Sequence, residues 1–206
     1  MRVAVLGASG GTGRQLVAQA LQRGHQVDAL VRDPDQAALP ADTRLTVYRA
    51  DVHDAASVAA AIAPESVVIS GLGVKAKNEA GTLTAGARAF VAAYPARIVW
   101  LGAIGTGRSV SAVGRLTARL LRAGFGVEYD DKVAADTTVL DAGGTVLHSG
   151  PLSDKADNPS ARALPVSAAR RRFFPHGTPR ATVARLMLDE AEAPHHPGEI
   201  IIPKPE

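Results

Sequence analysis

Apolar positions follow two alternating patterns along the chain. Short apolar runs rich in β-branched residues occur at 2–6, 26–31, 45–49, 66–70, 97–101, 144–148 and 199–202. Between them, Ala- and Leu-rich stretches with amphipathic spacing occupy 11–23, 55–63, 80–93, 111–122, 131–140 and 180–192. Strands and helices in alternation predict βαβ units and an α/β fold: a doubly wound, mostly parallel sheet with helices on both faces and a strand order near 3-2-1-4-5-6. Gly24 stands where a left-handed residue would end the first helix, and Asp54 where a side chain would cap the helix starting at Ala55. Residues 155–177, with three prolines and several arginines, are the least regular stretch. They are expected to form a loop or short hairpin over the substrate side.

The 206 residues suffice for one α/β domain, expected to span 1–206, and are too few for two. Hydrophobic residues make up 46% but aromatics only 4%, so the core must be built from Ala, Val, Leu and Ile. The absence of cysteine excludes disulfides and thiolate chemistry. The apolar start, about five residues closed by glycine, reads as a buried strand and not as a signal peptide. No apolar run approaches the roughly 20 residues of a membrane span, so a cytoplasmic protein without membrane contact is expected. A net charge of +3 is too small to imply nucleic acid by itself. Arg162, Arg170, Arg171, Arg172 and Arg180 flank Phe173 and Phe174. That cluster could contact phosphates or bases, but a loop beside an anionic cofactor or substrate explains it as well, and no nucleic-acid partner is expected. His195 and His196 lack partners at metal-ligand spacing, so no metal site is expected.

The most specific chemistry is Gly7-Ala8-Ser9-Gly10-Gly11-Thr12-Gly13, between the first strand and the first helix. Gly7 would allow the tight turn, Gly10 the approach of backbone N–H groups to a pyrophosphate, and Gly13 close helix–strand packing. The helix N-terminus then supplies open donors and partial positive charge. Gly7, Ser9, Gly10, Gly11, Thr12 and Gly13 are therefore the expected phosphate-binding set of a nicotinamide dinucleotide site in a Rossmann fold.

A ribose-binding acid would fall about 20 residues beyond the first glycine, where this chain has Leu30-Val31-Arg32-Asp33-Pro34. A guanidinium there pairs with a 2′-phosphate that a carboxylate would repel, so Arg32 argues for NADP(H) over NAD(H). Asp33 could instead take the ribose hydroxyls, or simply pair with Arg32. After the third strand, Asp51 and Val52 have the form of an adenine-edge contact, although Asp51 could equally begin a turn.

The glycine spacing resembles that of the short-chain dehydrogenase/reductase superfamily. Across nearly the whole chain the sequence is similar to its atypical NAD(P)H-binding members, the NmrA-like proteins and the flavin/biliverdin reductase type. Besides the glycine turn and Val31-Arg32-Asp33-Pro34, the resemblance rests on Ser70-Gly71-Leu72-Gly73, Asp131-Lys132 followed by Asp136, Ser149-Gly150-Pro151-Leu152, and Pro179-Arg180-Ala181-Thr182-Val183-Ala184. It implies that Gly71, Leu72 and Gly73 lie along the cofactor's phosphates and ribose, and that Gly150, Pro151 and Leu152 flank the nicotinamide. Two positions depart from the pattern. Leu101-Gly102-Ala103-Ile104-Gly105 stands where relatives carry a serine pair, and His148-Ser149 where they carry Arg-Pro.

Short-chain dehydrogenases use Tyr-x-x-x-Lys, whose phenol moves the proton while the lysine lowers its pKa and holds the ribose. Here Glu128 precedes Lys132 at that spacing, and Tyr129 sits three before it. Lys132 is a candidate for ribose binding and catalysis, with a Glu128 ion pair as the alternative, and Tyr129 is a candidate acid. His148 and Thr106 are substitute donors by position, or structural residues. An incomplete acid/base pair still permits hydride transfer to a good acceptor, with solvent supplying the proton. The expected activity is NADP(H)-dependent reduction of a small organic molecule. The alternatives are a non-catalytic NADP-binding sensor of the NmrA-like kind and a sugar-nucleotide epimerase or dehydratase, for whose substrate lobe the C-terminal part leaves little room.

Overall fold

The computed structural model describes residues 1–74, 80–169 and 176–204. Its strands are β1 (Arg2–Leu6), β2 (Gln26–Val31), β3 (Leu45–Arg49), β4 (Val67–Ser70), β5 (Arg97–Ala103), β6 (Thr145–Ser149), β7 (Leu152–Ser153), β8 (Arg162–Pro165), β9 (Thr178–Pro179) and β10 (Ile200–Lys204). Its α-helices are α1 (Gly11–Gln22), α2 (Ala55–Ala60), α3 (Thr82–Ala92), α4 (Arg115–Phe125), α5 (Val127–Asp141) and α6 (Arg180–Glu192). Eight strands form one sheet in the order β3-β2-β1-β4-β5-β6-β10-β8. All its pairings are parallel except that of β8 with β10.

The period-2 geometry of β1 separates two cores. Val3 and Val5 pack with Leu16 and Val17 of α1 and Val183 and Met187 of α6. Ala4 and Leu6 pack on the other face with Leu83 and Phe90 of α3 and Val139 of α5. Phe90 meets the buried Trp100 edge-on, at 6.2 Å between ring centres. Each fully buried aliphatic of this kind contributes about 1.5–3 kcal/mol. Because the chain winds one way from β1 to β3 and the other way from β4 to β6, the carboxyl ends of β1 and β4 part to leave a crevice.

The main departures from the expected elements lie outside this frame. The expected helix over 111–122 is a 3₁₀ turn (Gly107–Ala112) followed by α4, which starts after the extended Gly114. The last expected helix before β6 starts at Val127 instead of 131, so Glu128, Tyr129 and Lys132 share one helix. Within 155–177, residues Arg162–Pro165 are neither loop nor hairpin but the edge strand, paired antiparallel to β10. Proline at the strand's end and a partner some forty residues away hide that pairing from local pattern. Arg170, Arg171, Arg172, Phe173 and Phe174 lie outside the described residues. Gly24 does adopt a positive φ after α1, and the Asp54 carboxylate accepts from the N–H groups of Ala56 and Ser57. Glu190 binds the His195 and His196 amides, the Thr145 hydroxyl and the His196 ring.

Asp131 ties the two helices beside the crevice together. The head of α3 has no side-chain cap of its own, because Gly81 holds the capping position. The buried Asp131 carboxylate accepts instead from the Leu83 and Thr84 amides, at 3.1 and 2.9 Å, and from the Thr84 hydroxyl at 2.6 Å. An ionised acceptor with several donors makes the strongest class of hydrogen bond, about 1.5–3 kcal/mol. Asp131→Ala should therefore lower the melting temperature by roughly 4–10 °C, with Asp131→Asn, which keeps one acceptor, losing less. A melting temperature for Asp131→Ala within about one degree of the parent would contradict this role.

Candidate functional site

A cleft of about 1010 Å³ opens at the carboxyl ends of the central strands. Its floor is the turn from β1 into α1. Gly7 has φ of +71°, and a Cβ there would lie 3.0 Å from the Leu72 Cα in the loop after β4. At Gly13 a Cβ would stand 2.0 Å from the Gly7 carbonyl oxygen and 2.7 Å from the Ala8 Cα. The first turn of α1 thus rests directly on the backbone that precedes it. Gly10 caps the helix without a side-chain hydrogen bond, and no acidic residue stands in the first turn. The leading N–H groups are left open and the local potential positive.

Of the sequence-derived candidates, all but Gly13, Asp33, Thr106, Tyr129 and His148 line this cleft. Gly13 shapes it from beneath through its contact with Gly7. Arg32 lines one end. Asp33 is occupied locally, its carboxylate accepting from the Asp35 amide and from the Gln36 side chain at 2.6 Å. A second guanidinium, Arg49, lies behind this end, donating to the Arg32 carbonyl oxygen at 3.1 Å and standing 3.9 Å from an Asp33 carboxylate oxygen, a cation that sequence reasoning missed. One Asp51 oxygen accepts from the His53 amide, so Asp51 does begin a turn while also lining the cleft. Val52 is buried beside it.

At the opposite end lies Lys132, its ammonium 5.2 Å from the centre of the Phe125 ring instead of ion-paired with Glu128. Tyr129 is not brought there. Side chains in the first turn of a helix lean toward its N-terminus, and Tyr129 is buried beneath the Arg122 guanidinium, 5.0 Å from the ring centre. Thr106 is buried too, its hydroxyl donating to the Ala103 carbonyl at 2.7 Å.

The two departures from the family pattern are in contact. His148 is fully buried; its Nε2 lies 2.9 Å from an Asp136 carboxylate oxygen and its Nδ1 2.7 Å from the Ser109 hydroxyl. A Cβ at position 102 would stand 2.5 Å from the His148 Cδ2 and 2.9 Å from the Asp136 Oδ1. The imidazole and carboxylate therefore occupy the space that a serine at Gly102 would need. Asp136 lines the cleft four residues after Lys132 on α5, a spacing that could have marked it in the sequence.

The donor set fits a nicotinamide dinucleotide. The open N–H groups at Gly11 and Thr12 suit a diphosphate, and the Arg32 guanidinium at one end suits an anionic group on the ribose. Two buried polar atoms of cleft-lining residues near the other end, Asp136 Oδ1 and Ser149 Oγ, have no hydrogen-bond partner. Buried polar atoms without partners are rare and point to a missing ligand or water.

A solved structure, the anaerobillin reductase ChuY of Escherichia coli O157:H7, superposes with a TM-score of 0.78 at 22% identity over the full length of both chains. A short-chain dehydrogenase/reductase of Veillonella parvula, solved in complex with NADP, gives 0.78 at 14% identity over 99% of this chain and 94% of that one. Among curated proteins, the isoflavone reductase homolog IRL of Zea mays is 31% identical over 175 residues, which are 75% of this chain and 55% of that protein. This chain thus spans about half the length of that relative. A family model described as NAD(P)H-binding matches residues 7–194, from the first glycine of the turn to beyond α6. The chain belongs to this NAD(P)H-binding family.

Proposed function

We propose that the protein is an NADP(H)-dependent oxidoreductase that reduces a small organic acceptor. The observation that carries this reading is the placement in one cleft of an uncapped helix head, a guanidinium at one end and an ammonium at the other. When bound, the cofactor supplies the hydride. The amides of the glycine turn hold its diphosphate, and Arg32, backed by Arg49, selects the 2′-phosphate. Asp33, committed to the turn that follows it, leaves that selection to the guanidiniums. Lys132, on a helix fixed to α3 by Asp131, holds the nicotinamide ribose and so orients the ring. Leu121, Phe125 and Ile104 wall this end with apolar surface that excludes water from the acceptor. The relatives' reductase names and the NADP complex among the structural neighbours support the same reading.

A second reading, a cofactor-binding sensor without turnover, is favoured by the buried position of Tyr129 and the glycine at 102. Oxidation of NADPH by the purified protein offered free flavin, a quinone or a panel of small carbonyls decides between them. Turnover establishes the enzyme, whereas tight NADPH binding with no oxidation of any acceptor favours the sensor.

Two substitutions test the cofactor's placement. A charge-assisted pairing with the 2′-phosphate is worth about 1.5–3 kcal/mol, so calorimetry should show at least a tenfold preference for NADPH over NADH that Arg32→Ala removes. Equal affinities in the parent would refute the NADP assignment. Lys132→Ala should weaken NADPH binding modestly and slow turnover more strongly, because misorientation is felt chiefly in the transition state. Tyr129→Phe should change kcat little. A large loss of kcat in Tyr129→Phe would show that the phenol reaches the reacting atoms after all.

A further inference from the structure

The turn after β6 and the head of α6 are joined by a parallel two-stranded ribbon that no local sequence signal announces. Leu152 of β7 pairs with Thr178 of β9, and Ser153 with Pro179. The Thr178 amide also donates to the Pro151 carbonyl oxygen at 2.9 Å. One step further along this register, Asp154 stands opposite Arg180, and the Arg180 Nη1 donates to the Asp154 carboxylate at 2.8 Å. The rest of the arginine side chain crosses the phosphate turn: a Cβ on Gly11 would lie 2.8 Å from the Arg180 Nε and 2.9 Å from its Cδ. The guanidinium is therefore held at the open head of α1, and it lines the cleft.

Building on the dinucleotide reading above, we propose that Arg180 is a diphosphate-binding residue of this cleft, held in reserve by Asp154 until the cofactor arrives. The two interactions differ in strength. Asp154 is 89% exposed and Arg180 27%, and an ion pair so open to solvent contributes little. A diphosphate at the head of α1 carries more charge, sits among oriented amides, and accepts a forked guanidinium at two oxygens. The exchange of Asp154 for the phosphates is thus downhill, and it releases a carboxylate that would otherwise add negative charge beside them. Since Arg180 and the turn Gly150-Pro151-Leu152 are linked through the ribbon, occupation of the diphosphate site also fixes the segment that flanks the nicotinamide end. The close packing explains Gly11 as well, because any larger residue would displace the guanidinium.

Calorimetric titration with NADPH and with adenosine 2′-monophosphate, which lacks the diphosphate, tests the proposal. Arg180→Gln should weaken NADPH binding by about tenfold to about a hundredfold while leaving the binding of adenosine 2′-monophosphate unchanged, a control that an unfolded variant would fail. Asp154→Asn, a change at an exposed position, should tighten NADPH binding by about two- to fivefold. In Arg180→Gln the same aspartate change should have no effect. Unchanged NADPH affinity in Arg180→Gln would overturn the proposal, as would an equal loss for both ligands. Weaker NADPH binding in Asp154→Asn would overturn the reserve role of the carboxylate. If the parent binds adenosine 2′-monophosphate but neither dinucleotide, the dinucleotide reading itself fails, and the Arg180 assignment with it.

Discussion

The structure turns on the near-contact between α1 and the backbone that leads into it. With its Cβ position 2.0 Å from the Gly7 carbonyl oxygen, Gly13 permits a helix to start immediately over the end of β1. The loop after β4 closes on the same point, Leu72 against Gly7 and Gly71 against Gly13. Three backbone segments thus meet without side chains between them. This leaves the first amides of α1 exposed at the floor of a cleft instead of buried in a packed junction. The rest of the fold serves that geometry. Cores on both faces of the sheet hold β1 and β4 parallel and in register, so the crevice between their carboxyl ends is fixed before any ligand enters.

Around this floor the polar chemistry is distributed by separate devices. Asp33 is consumed in a local turn, which leaves guanidiniums to define one end. Asp131 is consumed in capping α3, which fixes the helix that presents Lys132 and Asp136 at the other. Asp136 in turn meets His148 in the space vacated at Gly102. Each of these carboxylates thus has a structural partner, and the first turn of α1 itself carries no acidic residue. A buried carboxylate–imidazole pair is costly to separate, because removing one member strands the other. The glycine at 102 and the histidine at 148 are therefore one coupled feature rather than two independent losses.

Much of this was legible in the sequence where a local rule operates. β1, β2, β3 and α6 follow from apolar periodicity alone, and the glycine turn from its place between a strand and a helix. What was not legible depends on partners distant in the chain. The edge pairing of Arg162–Pro165 with β10, the two-residue ribbon that sets Arg180 beside Asp154, and the start of α5 at Val127 are decided by tertiary contacts. The direction of Tyr129 belongs to the same group: its spacing from Lys132 was visible, but not the Arg122 side chain under which it packs. Asp136 was visible as a residue and gained a role only when His148 was found against it.

On the function proposed above, the open amides between Gly7 and Gly13 hold the diphosphate of a nicotinamide dinucleotide. Titrating NADPH into Gly10→Val, a change that places a branched side chain where the phosphates would lie, tests it most directly. The variant is expected to keep the parent's circular dichroism and cooperative melting but to lose measurable binding of NADPH and NADH alike. A folded Gly10→Val protein that bound NADPH as tightly as the parent would contradict it.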